Sequence, residues 1–233
     1  MSDWLTYTPE TFLMFSERTY RRLFESHNAA LWPAHLAVVL AAAVVFVMLF
    51  RRAAQSGRLI ALALALAWMV VALAWFWTRF STIHTGASIM AAAFAFEGLA
   101  LLWFGAIRSR LEIARPTGAF GWAGTAILTY GLLLQPLLGR ALGRPWAQSE
   151  VFGLAPDPTV AATIGALLLA RRAPWFLWTI PVGWSLFSGL TLWAMHAPDA
   201  WLPSGIAIAG TAPALASRWR RKQRTPLNAN PGL

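Results

Sequence analysis

Leu59–Thr78 reads LIALALALAWMVVALAWFWT, twenty residues without a charge. A helix of that length is about 30 Å long, the thickness of a bilayer's hydrocarbon core. Six further apolar runs share this character, at 32–50, 87–107, 118–138, 153–170, 174–195 and 201–217. Together they predict an all-α fold, a polytopic transmembrane helix bundle of about seven spans. A segment over 1–31 precedes the bundle at 32–217, and a basic tail over 218–233 follows it.

Composition points the same way. Of 233 residues, 58% are hydrophobic and only 12% charged, against about a quarter charged in a soluble domain. So few charges cannot cover a water-facing shell, so the expected solvent is largely lipid. Several of the 14 Trp stand at run ends (Trp32, Trp77, Trp122, Trp175, Trp201, Trp219), where amphipathic rings favour the headgroup layer. There is no cysteine, which excludes disulfides, thiolate metal sites and thiol catalysis. The single lysine, Lys222, is in the tail, which excludes a retinal-type Schiff base inside the bundle. No cofactor is expected.

Within 1–31, Phe12, Phe15, Tyr20, Leu23 and Phe24 interleave with Glu10, Glu17, Arg18, Arg21, Arg22 and Glu25, after Pro9. Proline suits the first turn of a helix. The pattern predicts an interfacial helix on the membrane surface, or one packed on the outer end of the bundle. Residues 225–233, rich in Pro and Asn, are expected to lack order.

The fifth run is the weak one. Its clean stretch, Thr159–Ala170, is 12 residues, about 18 Å of helix, and Pro156, Asp157 and Pro158 stand upstream. A bent or broken element is the expectation there. Charge arbitrates in favour of seven spans. With the N-terminus outside, the inner segments hold Arg51, Arg52, Arg58, Arg108, Arg110, Arg115, Arg171, Arg172, Arg218, Arg220, Arg221, Lys222 and Arg224, and the outer ones only Arg18, Arg21, Arg22, Arg79, Arg140 and Arg144. Basic residues accumulate on the cytoplasmic side, so the chain reads as a multi-pass protein of a bacterial inner membrane, N-terminus outside and C-terminus in the cytoplasm.

The net charge of +10 sits in short clusters between apolar runs, which that rule explains without nucleic acid. The tail cluster Arg218, Arg220, Arg221 and Lys222 is expected to face anionic lipid headgroups.

Glu97 is the one carboxylate in the middle of a run, where an ionised group costs on the order of 3 kcal/mol. Counting from run ends puts Thr125, Thr129, Trp184, Ser185 and Ser188 at its depth. This layer is a possible midplane site for a proton or a solute. The preferred reading is Glu97 as a neutral strut hydrogen-bonded between helices.

The histidines His27, His35, His84 and His196 fall on the outer side with Glu150, Asp157 and Asp199. His35, His84, His196 and Asp199 are weak metal candidates, because no pair has helical i, i+4 spacing. Ordinary interfacial histidines explain them, and no metal site is expected. Arg79 and Arg140 flank outer span ends, where snorkelling suffices. Gly118, Gly121 and Gly124 give close approach on one helix face. Pro181 and Pro213 fall inside spans, where kinks are absorbed by packing. No phosphate loop, metalloprotease motif or nucleophile elbow is present.

Asn28-Ala-Ala-Leu-Trp32-Pro33 opens the first run, and Arg79-Phe-Ser-Thr-Ile-His84 and Phe152-Gly-Leu-Ala-Pro156 form two turns. With these the chain resembles a bacterial family of multi-span membrane proteins of unknown function, over roughly residues 9–217. Asp157, between two prolines, departs from the residue expected there. The resemblance implies a fold and no catalytic residue.

Two function classes follow, and a membrane-embedded enzyme, which lacks any recognisable constellation, comes third. One is a small-solute or proton-linked permease using Glu97. The other is an accessory or assembly subunit packed against a larger membrane complex. A water-accessible cavity reaching Glu97 would favour the first, a dry core behind a flat aromatic face the second.

Overall fold

The computed structural model describes residues 15–51, 55–113, 115–171 and 173–223, the last seven by backbone alone. Residues 1–14 of the N-terminal segment and 224–233 of the tail lie outside it, as do the side chains of Arg218, Arg220, Arg221 and Lys222. The described residues are helical throughout, with no strand. One antiparallel bridge, Ile113 to Ala170, ties a connection to a helix end.

Helix α1 (Glu17–Leu31) starts where Ser16 Oγ accepts the amide of Thr19 at 3.3 Å, with Glu17 in its first turn, where the helix dipole favours an acid. It stops before Trp32-Pro33, because proline cannot donate the next backbone hydrogen bond. The chain then turns by 92° into α2 (Ala34–Phe50). Tyr20, Leu23, Phe24 and His27 form the buried stripe of α1. Phe24 stacks on Trp75 with ring centres 4.1 Å apart. Of the two placements expected for this helix, the structure shows packing on an end of the bundle.

Helix α3 (Ser56–Val70) continues in wider π turns through Val71–Trp77, α4 (Ala87–Ala100) through Leu101–Ile107, and α5 (Gly118–Thr129) through Tyr130–Leu134 into α6 (Gln135–Ala141). After α7 (Pro156–Leu169), a short 3-10 turn at Trp175–Trp178 leads into α8 (Thr179–Ala194), and α9 (Trp201–Gln223) follows. After α1, seven helical rods coincide with the apolar runs of the sequence. Pro181 is in the first turn of α8 rather than deep inside a helix, so its missing N–H breaks no bond.

The seven predicted spans are not all matched in length. Among the described residues two helices are long and apolar enough to cross a membrane, Ser56–Thr82 and Ala87–Ile107. The bent pair α1–α2 makes a third if counted as one. Helix α7 shows the physical reason. It has 14 residues, about 21 Å, and is buried on nearly every face between α3, α5, α8 and α9. The buried turn Val151–Ala155, with Gly153 at φ +73°, leads into it. A helix enclosed by protein has no need to match the thickness around it.

The α5–α7 crossing depends on glycine. A Cβ on Gly131 would lie 2.4 Å from the Ala162 amide nitrogen, and one on Gly165 2.4 Å from that of Leu128. Gly124 faces Gly165 across the same crossing, whereas Gly121 abuts Pro116 and Gly118 turns the chain at φ +65°. The expected glycine face is therefore one contact and two local turns. Trp68, Phe76, Phe94 and Trp184 fill the space between α3, α4 and α8. Outward, α4 and its continuation expose Ile89, Phe96, Leu99, Trp103 and Ile107, each at least 47% accessible, an apolar stripe with Ser88 at its start.

Candidate functional site

Polar chemistry gathers at the end of the bundle capped by α1. Asp157, second residue of α7, accepts Trp184 Nε1–H on Oδ1 and Ser188 Oγ–H on Oδ2, both at 2.7 Å. Glu150, in the α6–α7 connection, accepts Gln135 Nε2–H at 2.8 Å. Its other oxygen lies 3.6 Å from Arg21 Nη1. Asp199, in the α8–α9 turn, pairs with Arg144. Glu150 is buried, and Asp157 and Asp199 are half-buried.

Glu150, Asp157 and Asp199 line one cavity of about 20 Å³ with Tyr130, Gln135 and Ser185. A second cavity of about 10 Å³ adjoins it towards Arg144. About 10–15 Å³ is the least that holds a water molecule, so the larger space suits one water and is too small for an organic solute. Arg21 is only 7% exposed, and neither of its terminal nitrogens makes a hydrogen bond. Its nearest carboxylates are Glu150 and, at 3.5 Å, Glu17.

Two guanidiniums thus face the three carboxylates of the cavity, with Glu17 a fourth on the exposed side of Arg21, so negative charge is in excess when all are ionised. Burial, reinforced by the charge on Asp157, pushes the Glu150 carboxyl up to about 7, against the pull of Arg21 and Arg144. A proton on Glu150 lessens the excess.

Glu97 has a different setting. It is fully buried, and neither carboxylate oxygen has a hydrogen-bond partner. The hydroxyl layer expected around it is distributed elsewhere. Trp184 and Ser188 serve Asp157, Ser185 lines the chamber, and Thr125 Oγ1 donates to Gly121 O of its own helix at 2.9 Å. Thr129 is half-buried on α5. Counting from helix ends gave depth, but depth does not fix which way a side chain faces.

The histidines are scattered in the same way. His27 is buried with Nε2 2.9 Å from Leu154 O, and burial pushes its imidazole down to about 4. At that value the ring is neutral at pH 7 and its Nε2–H donates to Leu154. His35 Nε2 is 3.2 Å from Asn28 Oδ1, and His84 stacks on Phe80. His196 closes α8 at φ +56°. Among the described residues no three His, Asp or Glu side chains converge tightly enough to hold a metal ion.

Gln135 escaped the sequence analysis, and Arg21 entered it only as an outer basic residue, Asp199 as a weak metal candidate, Glu150 by its side of the bundle and Asp157 as an interruption of the fifth run. One signal was available. Arg21 lies three residues from Phe24, beside the apolar stripe of α1, whereas Arg18 and Arg22 are on the exposed side.

No curated protein and no solved structure matches the chain. A family model does, over residues 17–225, from the capping helix through the last helix. The chain therefore belongs to the family of unknown function DUF6064.

Proposed function

We propose that this is an integral membrane protein whose chamber at Glu150 takes up and releases a proton, as the proton-binding element of a proton-linked permease. In this reading all seven helical rods are embedded in the bilayer. The chamber faces the outside with the N-terminus, and the basic C-terminal end faces the cytoplasm. The outward apolar residues of α3 and α4 and the distribution of arginine between the two ends support that placement.

One observation carries the functional reading: three carboxylates line a cavity the size of one water, and two of them, Glu150 and Asp199, meet Arg21 and Arg144 outside it. An ordinary structural ion pair balances its charges, and this cluster does not. The chemistry that fits the space is proton exchange, with Tyr130, Gln135 and a water as relay partners of Glu150.

The experiment is proton flux in proteoliposomes loaded with a pH-sensitive dye, driven by a potassium diffusion potential. Wild type should acidify the lumen, and Glu150→Gln, with similar shape, should fold and reconstitute but lose the flux. Equal flux from the two proteins would overturn the reading. No flux from either would bring forward a second reading, an accessory subunit. In favour of that one is the exposed stripe Phe96, Leu99 and Trp103 on α4, a surface that fits a partner helix as well as it fits lipid.

A further inference from the structure

The opposite end of the bundle contains a cleft of about 840 Å³, within the range of small-molecule sites and far larger than the chamber at Glu150. It lies between the Ser109–Thr117 connection, the exit of α7, the entry to α8 and the middle of α9. Its rim carries Arg110, Arg115 and Arg171 against a single acid, Glu112. Its wall is Leu168, Trp178 and Pro213, with Phe120 48% exposed at the side.

The rim is built rather than draped. Arg171 N donates to Glu112 O at 2.9 Å, next to the Ile113–Ala170 bridge. Arg115 Nη2 donates to Phe50 O at 2.8 Å, which fastens the connection to α2. Ser109 turns it at φ +51°, a conformation that costs a non-glycine residue energy.

We infer that this cleft binds one anionic phospholipid, its phosphate among Arg110, Arg115 and Arg171 and an acyl chain along Leu168, Trp178 and Pro213. Charge complementarity selects the headgroup, since three guanidiniums beside one carboxylate suit a phosphodiester. The apolar wall selects a lipid over a free phosphate, which would leave most of the volume unfilled. Basic pockets between helices at the cytoplasmic face are where anionic headgroups bind. The inference rests on the bilayer placement proposed above, and it is separate from the chamber and from the tail cluster at Arg218–Lys222.

Native mass spectrometry of the delipidated full chain, titrated with phosphatidylglycerol or phosphatidylcholine, tests it. One phosphatidylglycerol should bind at least tenfold more tightly than phosphatidylcholine, and millimolar inorganic phosphate should not displace it. Arg110→Gln with Arg171→Gln should weaken phosphatidylglycerol about 30-fold, at about fivefold per arginine, with phosphatidylcholine unchanged. Arg110→Lys with Arg171→Lys keeps both charges and should retain the preference, which guards against a rim that merely misfolds. Neutralising Arg218, Arg220, Arg221 and Lys222 to Gln should leave the tight site intact. Equal binding of the two lipids, full displacement by phosphate, or loss of the tight site in the tail variant alone would each overturn the cleft. A chain that stays monodisperse without detergent would instead overturn the bilayer placement.

Discussion

Asp157 and Glu97 are carboxylates enclosed in the same bundle, and their surroundings are opposites. Asp157 is in the first turn of α7, where the helix dipole favours negative charge, and two donors on α8 reach it at 2.7 Å. Glu97 is eleven residues into α4, past any helix-end effect, with no donor at either oxygen. Depth in the bundle is therefore a poor guide to function. What separates the two is whether neighbouring helices turn donors towards the group. By that measure Asp157 belongs to a charge network, and Glu97 is an acid sealed in an apolar wall.

The largest effect that would test this contrast is expected at Arg21. Removing one partner of a buried charge pair costs about 3–5 kcal/mol, and Arg21→Met leaves Glu150 without its nearest cation. The loss should depend on pH. Because the Glu150 carboxyl is raised to about 7 in the folded protein, its contribution is fully present below its ordinary unfolded value. That contribution is lost as pH rises through about 7. Without Arg21 the carboxyl rises further, so the drop in detergent melting temperature should be greater at pH 8 than at pH 5. An equal drop at the two values would uncouple Arg21 from Glu150.

A smaller effect is expected from Asp157→Asn. The amide oxygen still accepts from Trp184 and the amide N–H donates to Ser188 Oγ, so two charge-assisted bonds become neutral ones at a cost of about 1–2 kcal/mol. The substitution also removes a negative charge that helps to raise Glu150. The carboxyl band of Glu150 in infrared titration should therefore shift to lower pH. An unmoved band would mean that the two acids do not sense each other.

The smallest effect is expected at Glu97. With no hydrogen bond to lose, Glu97→Met should change stability by less than about 1 kcal/mol, or raise it, since an apolar isostere removes a desolvated polar group. A large loss in thermal unfolding would reveal a partner at Glu97 and dissolve the contrast with Asp157.

The helices were legible because composition repeats along them. Seven apolar runs need no knowledge of neighbours, and most of their ends fall within a few residues of the observed helix ends. The chamber was not legible, because its charge network is assembled from Arg21, Gln135, Glu150, Asp157 and Asp199 on five segments. Each of these residues is ordinary in its own stretch. The polar layer was placed at the depth of Glu97, whereas Trp184 and Ser188 face Asp157 and Thr125 turns back on its own helix, since depth along a helix does not say which face meets which neighbour. The shortness of α7 was visible in Pro156, Asp157 and Pro158. Its central place became visible only in the glycine contacts with α5.

Those contacts also bear on how the chain is made. Helix α7 leaves the ribosome before α8 and α9 exist, and at 14 residues it is a weak insertion signal by itself, well short of the roughly 20 that a bilayer asks for. Helix α5 and its continuation are already present by then, and Gly124 and Gly131 offer a groove in which the α7 backbone at Gly165 and Ala162 lies against bare Cα atoms. On the membrane reading, α5 is thus a template that holds an incomplete span until α8 and α9 close over it. The glycines then write an order of assembly into the sequence as well as a contact into the fold.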